Sequence, residues 1–199
     1  MKKISSILAL LIFITNISSA STYNSDPQIF IKELVDDAIA KLSDNNSNEE
    51  EKKNFIAKIA LENVDINALG LYTLGDLRKS EDKTSIARYQ EAFQKYFLKS
   101  LTSRLTDYSS NKFDIISAEK KSSNYTVVKS KIAESDKQPE IKIDWRIYTK
   151  NPEKPLIRDL IVEGLSLART QKEEFASILS SNNNDINILI SKLEEFANK

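Results

Sequence analysis

Apolar residues recur along this chain first at helical spacing, then at strand spacing, then at helical spacing again. From Asp26 to Leu42, Ile29, Phe30, Leu34, Ala38 and Leu42 make one apolar face. Asp26 is a natural N-cap there, with Pro27 at the first helical position. After the polar loop Ser43 to Asn48, a second helix is predicted over Glu49 to Leu61, with Phe55, Ile56 and Ile59 inward. Its first turn holds three acids, where the helix dipole favours them. Val64 to Leu77 predicts a short helix interrupted by Gly70 and Gly75. The chain has only three glycines, so these two mark a helix end, a close helix contact or the approach of a ligand. Thr84 to Tyr108 is the longest predicted helix. Tyr89, Phe93, Phe97, Leu101, Leu105 and Tyr108 form its single aromatic and aliphatic stripe.

Beyond Tyr108 the period drops to two. Lys112 to Ala118, Tyr125 to Ala133, Glu140 to Tyr148 and Leu156 to Glu163 read as four strands with short polar connections, as in an antiparallel meander. Ile141, Ile143, Trp145 and Ile147 alternate with Lys142, Asp144, Arg146 and Tyr148, the mark of a half-buried strand. Helical spacing returns over Thr170 to Leu179, where Thr170 and Glu173 stand at capping-box spacing, and over Asn184 to Ala197. Helices, then strands, then helices predict one α+β domain: an antiparallel sheet of about four strands with helices on one face.

The N-terminus changes this picture in one respect. Lys2 and Lys3, an apolar run from Ile7 to Ile14 and the small residues Ser18-Ser19-Ala20 have the form of a cleaved export signal. The apolar run is well short of the roughly 20 residues a membrane-spanning helix needs. Residues 1–20 are therefore expected to be removed, leaving 21–199 as a single exported domain. The 29 basic and 29 acidic residues balance, so losing Lys2 and Lys3 leaves a slightly acidic chain. Nothing in that balance supports nucleic-acid binding, and none is expected.

With no cysteine and no histidine, the chain has no thiol chemistry, no disulfide, no Cys/His zinc site and no Ser-His-Asp triad of its own. It has neither a phosphate-binding glycine loop nor a dinucleotide fingerprint, and no cofactor is expected. Asp159 and Glu163 share a strand face, but at about 3.3 Å per residue they stand about 13 Å apart, too far for a glycosidase pair. Asp159 is expected to serve structure instead, accepting from Arg146 or from backbone N–H groups. No catalytic residue and no metal ligand emerges. What remains is a layer of helices and a sheet, both rich in large apolar residues. If the layers close incompletely, the space between them is an apolar cavity.

Two stretches carry a likeness to a known family: Ile141-Lys142-Ile143-Asp144-Trp145-Arg146, and Arg158-Asp159-Leu160-Ile161-Val162-Glu163-Gly164-Leu165-Ser166-Leu167. An alternating strand ending in Trp-Arg, followed by Asp, Glu-Gly, Leu-Ser-Leu and then Gln171 to Phe175, resembles the MlaC, or toluene-tolerance, family. Val64 to Gly75 and Tyr89 to Leu101 resemble it more loosely. Arg158 stands where the family commonly has tyrosine. The resemblance implies a nuclear-transport-factor-like fold and a non-catalytic role. It implies a periplasmic phospholipid carrier, with an outer-membrane lipoprotein complex and an inner-membrane ABC transporter with its MCE-domain protein as partners.

On that reading the acyl chains lie between helix and sheet. The expected wall is Phe93, Phe97, Leu101 and Leu105 from the long helix, with Val128, Ile143, Trp145, Ile147, Leu160 and Val162 from the sheet. Trp145→Asp is then expected to abolish lipid retention without unfolding the protein. Two other functions fit the same scaffold: an exported enzyme acting on a small apolar substrate, and an exported chaperone or scaffold gripping partners by its helices.

Overall fold

The computed structural model describes residues 23–105, 112–134 and 139–199, with side chains from 23 to 103 in the first stretch. The export signal and Tyr108 lie outside the described residues. Two helices come first, α1 (Pro27–Ser43) and α2 (Glu49–Asn63). Asp26 caps α1 by accepting from the backbone N–H groups of Gln28 and Ile29. Asn48 and Glu51 close a reciprocal capping box at the start of α2. The buried face of α1 is Phe30, Ile31 and Leu34, while Ile29 is exposed. The helix is therefore rolled from the orientation its spacing predicts, because the sheet it packs on draws Ile31 inward.

Next comes α3 (Ile66–Thr73), then a 3-10 turn (Gly75–Lys79) and α4 (Lys83–Leu105). The two glycines act differently. Gly75 has φ +65°, the left-handed conformation that ends α3. Gly70 lies inside α3, where a Cβ would come within 2.9 Å of the Phe93 ring and 2.1 Å of Gln90 Oε1. It permits a close crossing of α3 and α4.

The sheet follows in simple chain order: β1 (Phe113–Ser122), β2 (Tyr125–Ile132), β3 (Ile141–Tyr148), β4 (Leu156–Val162) and the short β5 (Leu165–Ser166). All neighbours are antiparallel. Register shifts at Ile115/Ser117 in β1 and opposite Arg146/Ile147 in β4 bend it. The fold is thus the expected α+β, with a fifth strand that the periodicity did not reveal. Two helices close the chain, α5 (Leu167–Ser180) and α6 (Ile186–Ala197). α5 begins three residues before the expected Thr170. Its cap is Ser166, whose Oγ accepts from Arg169 N–H, and Glu173 pairs with Arg169 instead of closing a capping box.

The buried residues form two clusters. One is helical: Ile66, Leu69 and Leu74, then Tyr89 and Phe93 of α4, Phe175 of α5, and Leu189, Ile190 and Leu193 of α6. The other joins Phe30, Ile31 and Leu34 of α1 to Phe113, Val128, Trp145, Ile147 and Ile157 of the sheet. Val64 packs against both.

Candidate functional site

The apolar face of the sheet is assembled by register. Val128 stands opposite Trp145 and Trp145 opposite Leu160. Ser130 stands opposite Ile143 and Ile143 opposite Val162, so these side chains share one face. Burial along that face is graded. Val128, Trp145, Ile147 and Ile157 are buried beneath α1, whereas Ile115, Ile132, Ile143 and Leu160 pack against them and are only partly covered. Val162 is also half-buried, and Leu165, across from it on β5, is 69 % exposed.

The expected wall residues divide along the same lines. Phe93 is not a wall facing the sheet. Its ring contacts Tyr89, Tyr96, Phe97 and Phe175 inside the helical cluster. Phe97 packs at the edge of that cluster and is half-buried, as is Leu101. Leu105 falls outside the described side chains. Val128, Trp145 and Ile147 are buried core of the sheet layer, and Ile143, Leu160 and Val162 are its half-covered margin. The helical stripe and the sheet face thus belong to two clusters, because Tyr89 and Phe93 turn toward α3, α5 and α6 and the sheet's central residues toward α1. Trp145 lies on the face the alternation predicts, but at 8 % exposure it is already enclosed. An aspartate there would bury a charge, so the expectation that Trp145→Asp leaves the fold intact does not hold.

The residues that carry the family likeness build a clasp. Glu163 has φ 49° and Gly164 φ 82°. Two consecutive positive-φ residues between paired Val162 and Leu165 make the tight hairpin turn whose twist suits antiparallel strands. Glu163 also accepts from the Lys142 backbone N–H, fastening the turn to β3. The turn brings Ser166 back beside Asp159. Buried Asp159 accepts from Ser166 Oγ–H at 2.6 Å and from Ala168 N–H at 3.0 Å, with Arg146 at 3.5 Å. Asp159 is therefore the structural acceptor the sequence suggested, holding the N-terminus of α5 against the sheet.

A second polar seam runs along the same strand. Arg158 bonds Asp65 at 2.8 Å through Nε and Tyr125 Oη at 2.8 Å, and stacks 3.5 Å above the Tyr148 ring. Burial opposes its charge, but the bonds to Tyr125 and Asp65 outweigh it and raise its pKa above the ordinary value. Asp65 in turn caps α3, so Arg158 ties that helix to the sheet. Nothing in the sequence near Arg158 signals this link, since Asp65 lies 93 residues away. Two surface clefts, of about 280 and 220 Å³, are lined by other residues and include none of the ten.

A single curved antiparallel sheet with one apolar face, backed by a helical layer, defines the α+β class of this chain. The MlaC protein family matches residues 32–195, so the chain belongs to the MlaC family. A search of curated proteins finds no match. Among solved structures, the chain resembles the phospholipid-binding protein from Ralstonia solanacearum in complex with a phospholipid. The TM-score is 0.72 at 18 % identity, over 85 % of this chain and 96 % of that one.

Proposed function

We propose that this protein binds a phospholipid by its acyl chains against the half-covered margin of the sheet and carries it through the periplasm. The observation that carries this reading is the graded apolar face. Ile143, Leu160 and Val162 lie on one face of β3 and β4 and retain uncovered apolar surface. Phe97 and Leu101 of α4 are half-buried in the same way. A ligand gains most where protein atoms have not already saturated a side chain, at about 25 cal/mol per Å² of apolar area covered. Each buried CH₂ of an acyl chain is worth about 0.8 kcal/mol, so hydrocarbon alone supplies firm binding. Val128, Trp145 and Ile147 back this wall, and Phe93 anchors α4 behind it.

Membership of the MlaC family and the likeness to a phospholipid-bound protein support the same ligand. On this reading the protein does no chemistry on the lipid. It exchanges it with an outer-membrane lipoprotein complex at one end of its path and with an inner-membrane ABC transporter and its MCE-domain protein at the other. Release then depends on a partner that offers the lipid a better site.

The test is to express the full chain, recover it from the periplasmic fraction without detergent and extract it for lipid. Phospholipid near one molecule per chain is expected. A folded protein that arrives empty and stays empty after incubation with phospholipid vesicles would overturn the reading.

A further inference from the structure

Ser130 is the one fully buried hydroxyl on the apolar face of the sheet, at 1 % exposure among the described residues of that cluster's strands. It lies between Val128 and Ile132 on β2, directly opposite Ile143. A hydroxyl in such a place is unfavourable unless both its donor and its acceptor capacity are used. Both are used here. Ser130 Oγ accepts from the Trp145 indole N–H at 2.8 Å and donates to the Ile143 carbonyl at 3.0 Å.

Trp145 is the only tryptophan of the chain. Its ring meets Phe113 edge to face, with centroids 6.3 Å apart and planes at 89°. Across the next strand it stands opposite Leu160. The indole is thus held between a fixed hydrogen bond on one side and the half-covered margin on the other. A buried indole N–H needs a partner, and choosing that partner chooses the ring's orientation.

We infer that Ser130 is a positioning residue for lipid binding: by fixing the indole of Trp145 it sets the shape of the wall at Ile143 and Leu160 against which an acyl chain lies. The inference rests on the phospholipid-carrier reading. Without the Ser130 hydroxyl the indole N–H loses the acceptor it has in this structure. The ring must then rotate toward a polar group or admit water, and either change disturbs the apolar wall. Ser130 itself need not touch the ligand.

The experiment uses the full chain, exported and purified without detergent, and loaded from vesicles of phosphatidylcholine brominated on its acyl chains. Bromine quenches tryptophan emission at close range, and a single tryptophan makes the signal unambiguous. In the wild type, loading should quench the emission. Ser130→Ala should weaken lipid binding about tenfold and reduce the quenching at saturation. Ser130→Thr, which keeps the hydroxyl and suits a strand, should restore both.

The decisive comparison is made in the Trp145→Phe background, read by bound-lipid stoichiometry. There Ser130→Ala should have no further effect on binding, because there is no indole N–H to position. Urea unfolding of each variant separates loss of fold from loss of binding. Wild-type affinity and quenching in Ser130→Ala, or an undiminished effect of Ser130→Ala in the Trp145→Phe background, would overturn the inference. A wild-type protein that takes up no brominated lipid would instead overturn the carrier reading.

Discussion

The helical cluster and the sheet cluster are built from similar residues but are finished differently. In the helical cluster Tyr89, Phe93 and Phe175 meet ring on ring and are nearly inaccessible. Even the polar group there is satisfied: Tyr89 Oη and Thr73 Oγ1 share a hydrogen bond of 2.9 Å. Burial pushes the Tyr89 pKa above its ordinary value, with the bond to Thr73 opposing it, so the phenol stays neutral. The sheet cluster is sealed under α1 but runs out into half-covered Ile115, Ile132, Ile143 and Leu160. A finished core has little to gain from a ligand, whereas an unfinished one gains whatever the ligand covers. On the proposed reading, stability comes from the helical side and binding from the margin of the sheet.

The largest effect should come from breaking the finished side. Phe93→Ala removes a ring held by four aromatic neighbours and should lower unfolding stability by about 3–5 kcal/mol in urea titration. Bound lipid in the remaining folded fraction should stay near the wild-type ratio. Next is the clasp. Asp159→Ala strands the half-buried Ser166 hydroxyl and the buried Ala168 N–H, and should cost about 2–4 kcal/mol by the same titration. Gly70→Ala forces a Cβ against Phe93, a neighbour that cannot swing away as Gln90 can, and should cost about 1–3 kcal/mol.

Leu160→Ala inverts the pattern. It should change stability by about 1 kcal/mol, because the residue is only half-covered, yet lower lipid occupancy severalfold in mass spectrometry of the native protein. If Phe93→Ala and Leu160→Ala reduced stability and occupancy in the same proportion, the division between the two clusters would fail.

Acid should produce the smallest effect. The Asp82 carboxyl, at the start of α4, is held below its usual pKa by Ser85 Oγ–H and by the Ser85 and Thr84 backbone N–H groups. A lowered folded pKa adds stability above the unfolded value and loses it as pH falls through the folded one. Asp82→Asn should therefore lower the melting temperature slightly at neutral pH and leave it unchanged at the acid end, so the acid limb of the profile is flatter.

Much of this layout is legible in the chain before folding. Asp26-Pro27 marks the start of α1 because capping is local, and the four long strands follow from alternation because a two-residue period is local too. The misreadings share a cause. Ser166 caps α5 because Glu163 and Gly164 turn the chain back on itself, and positive φ at a glutamate has no local sequence mark. Thr170 and Glu173 had the right spacing for a cap and the wrong position. The ten expected wall residues all sit on apolar stripes of the sequence. Periodicity identifies which side of an element is apolar, but not whether Phe93 meets the sheet or Phe175.

The most direct test of where the ligand lies is photo-crosslinking. The protein is loaded with a phospholipid bearing a diazirine on its acyl chain, irradiated, digested and sequenced by mass spectrometry. Labels within β3 and β4, around Ile143, Leu160 and Val162, with lesser labelling at Phe97 and Leu101, are the predicted result. Labels concentrated on Phe93, Phe175 and Leu189, inside the helical cluster, would contradict it.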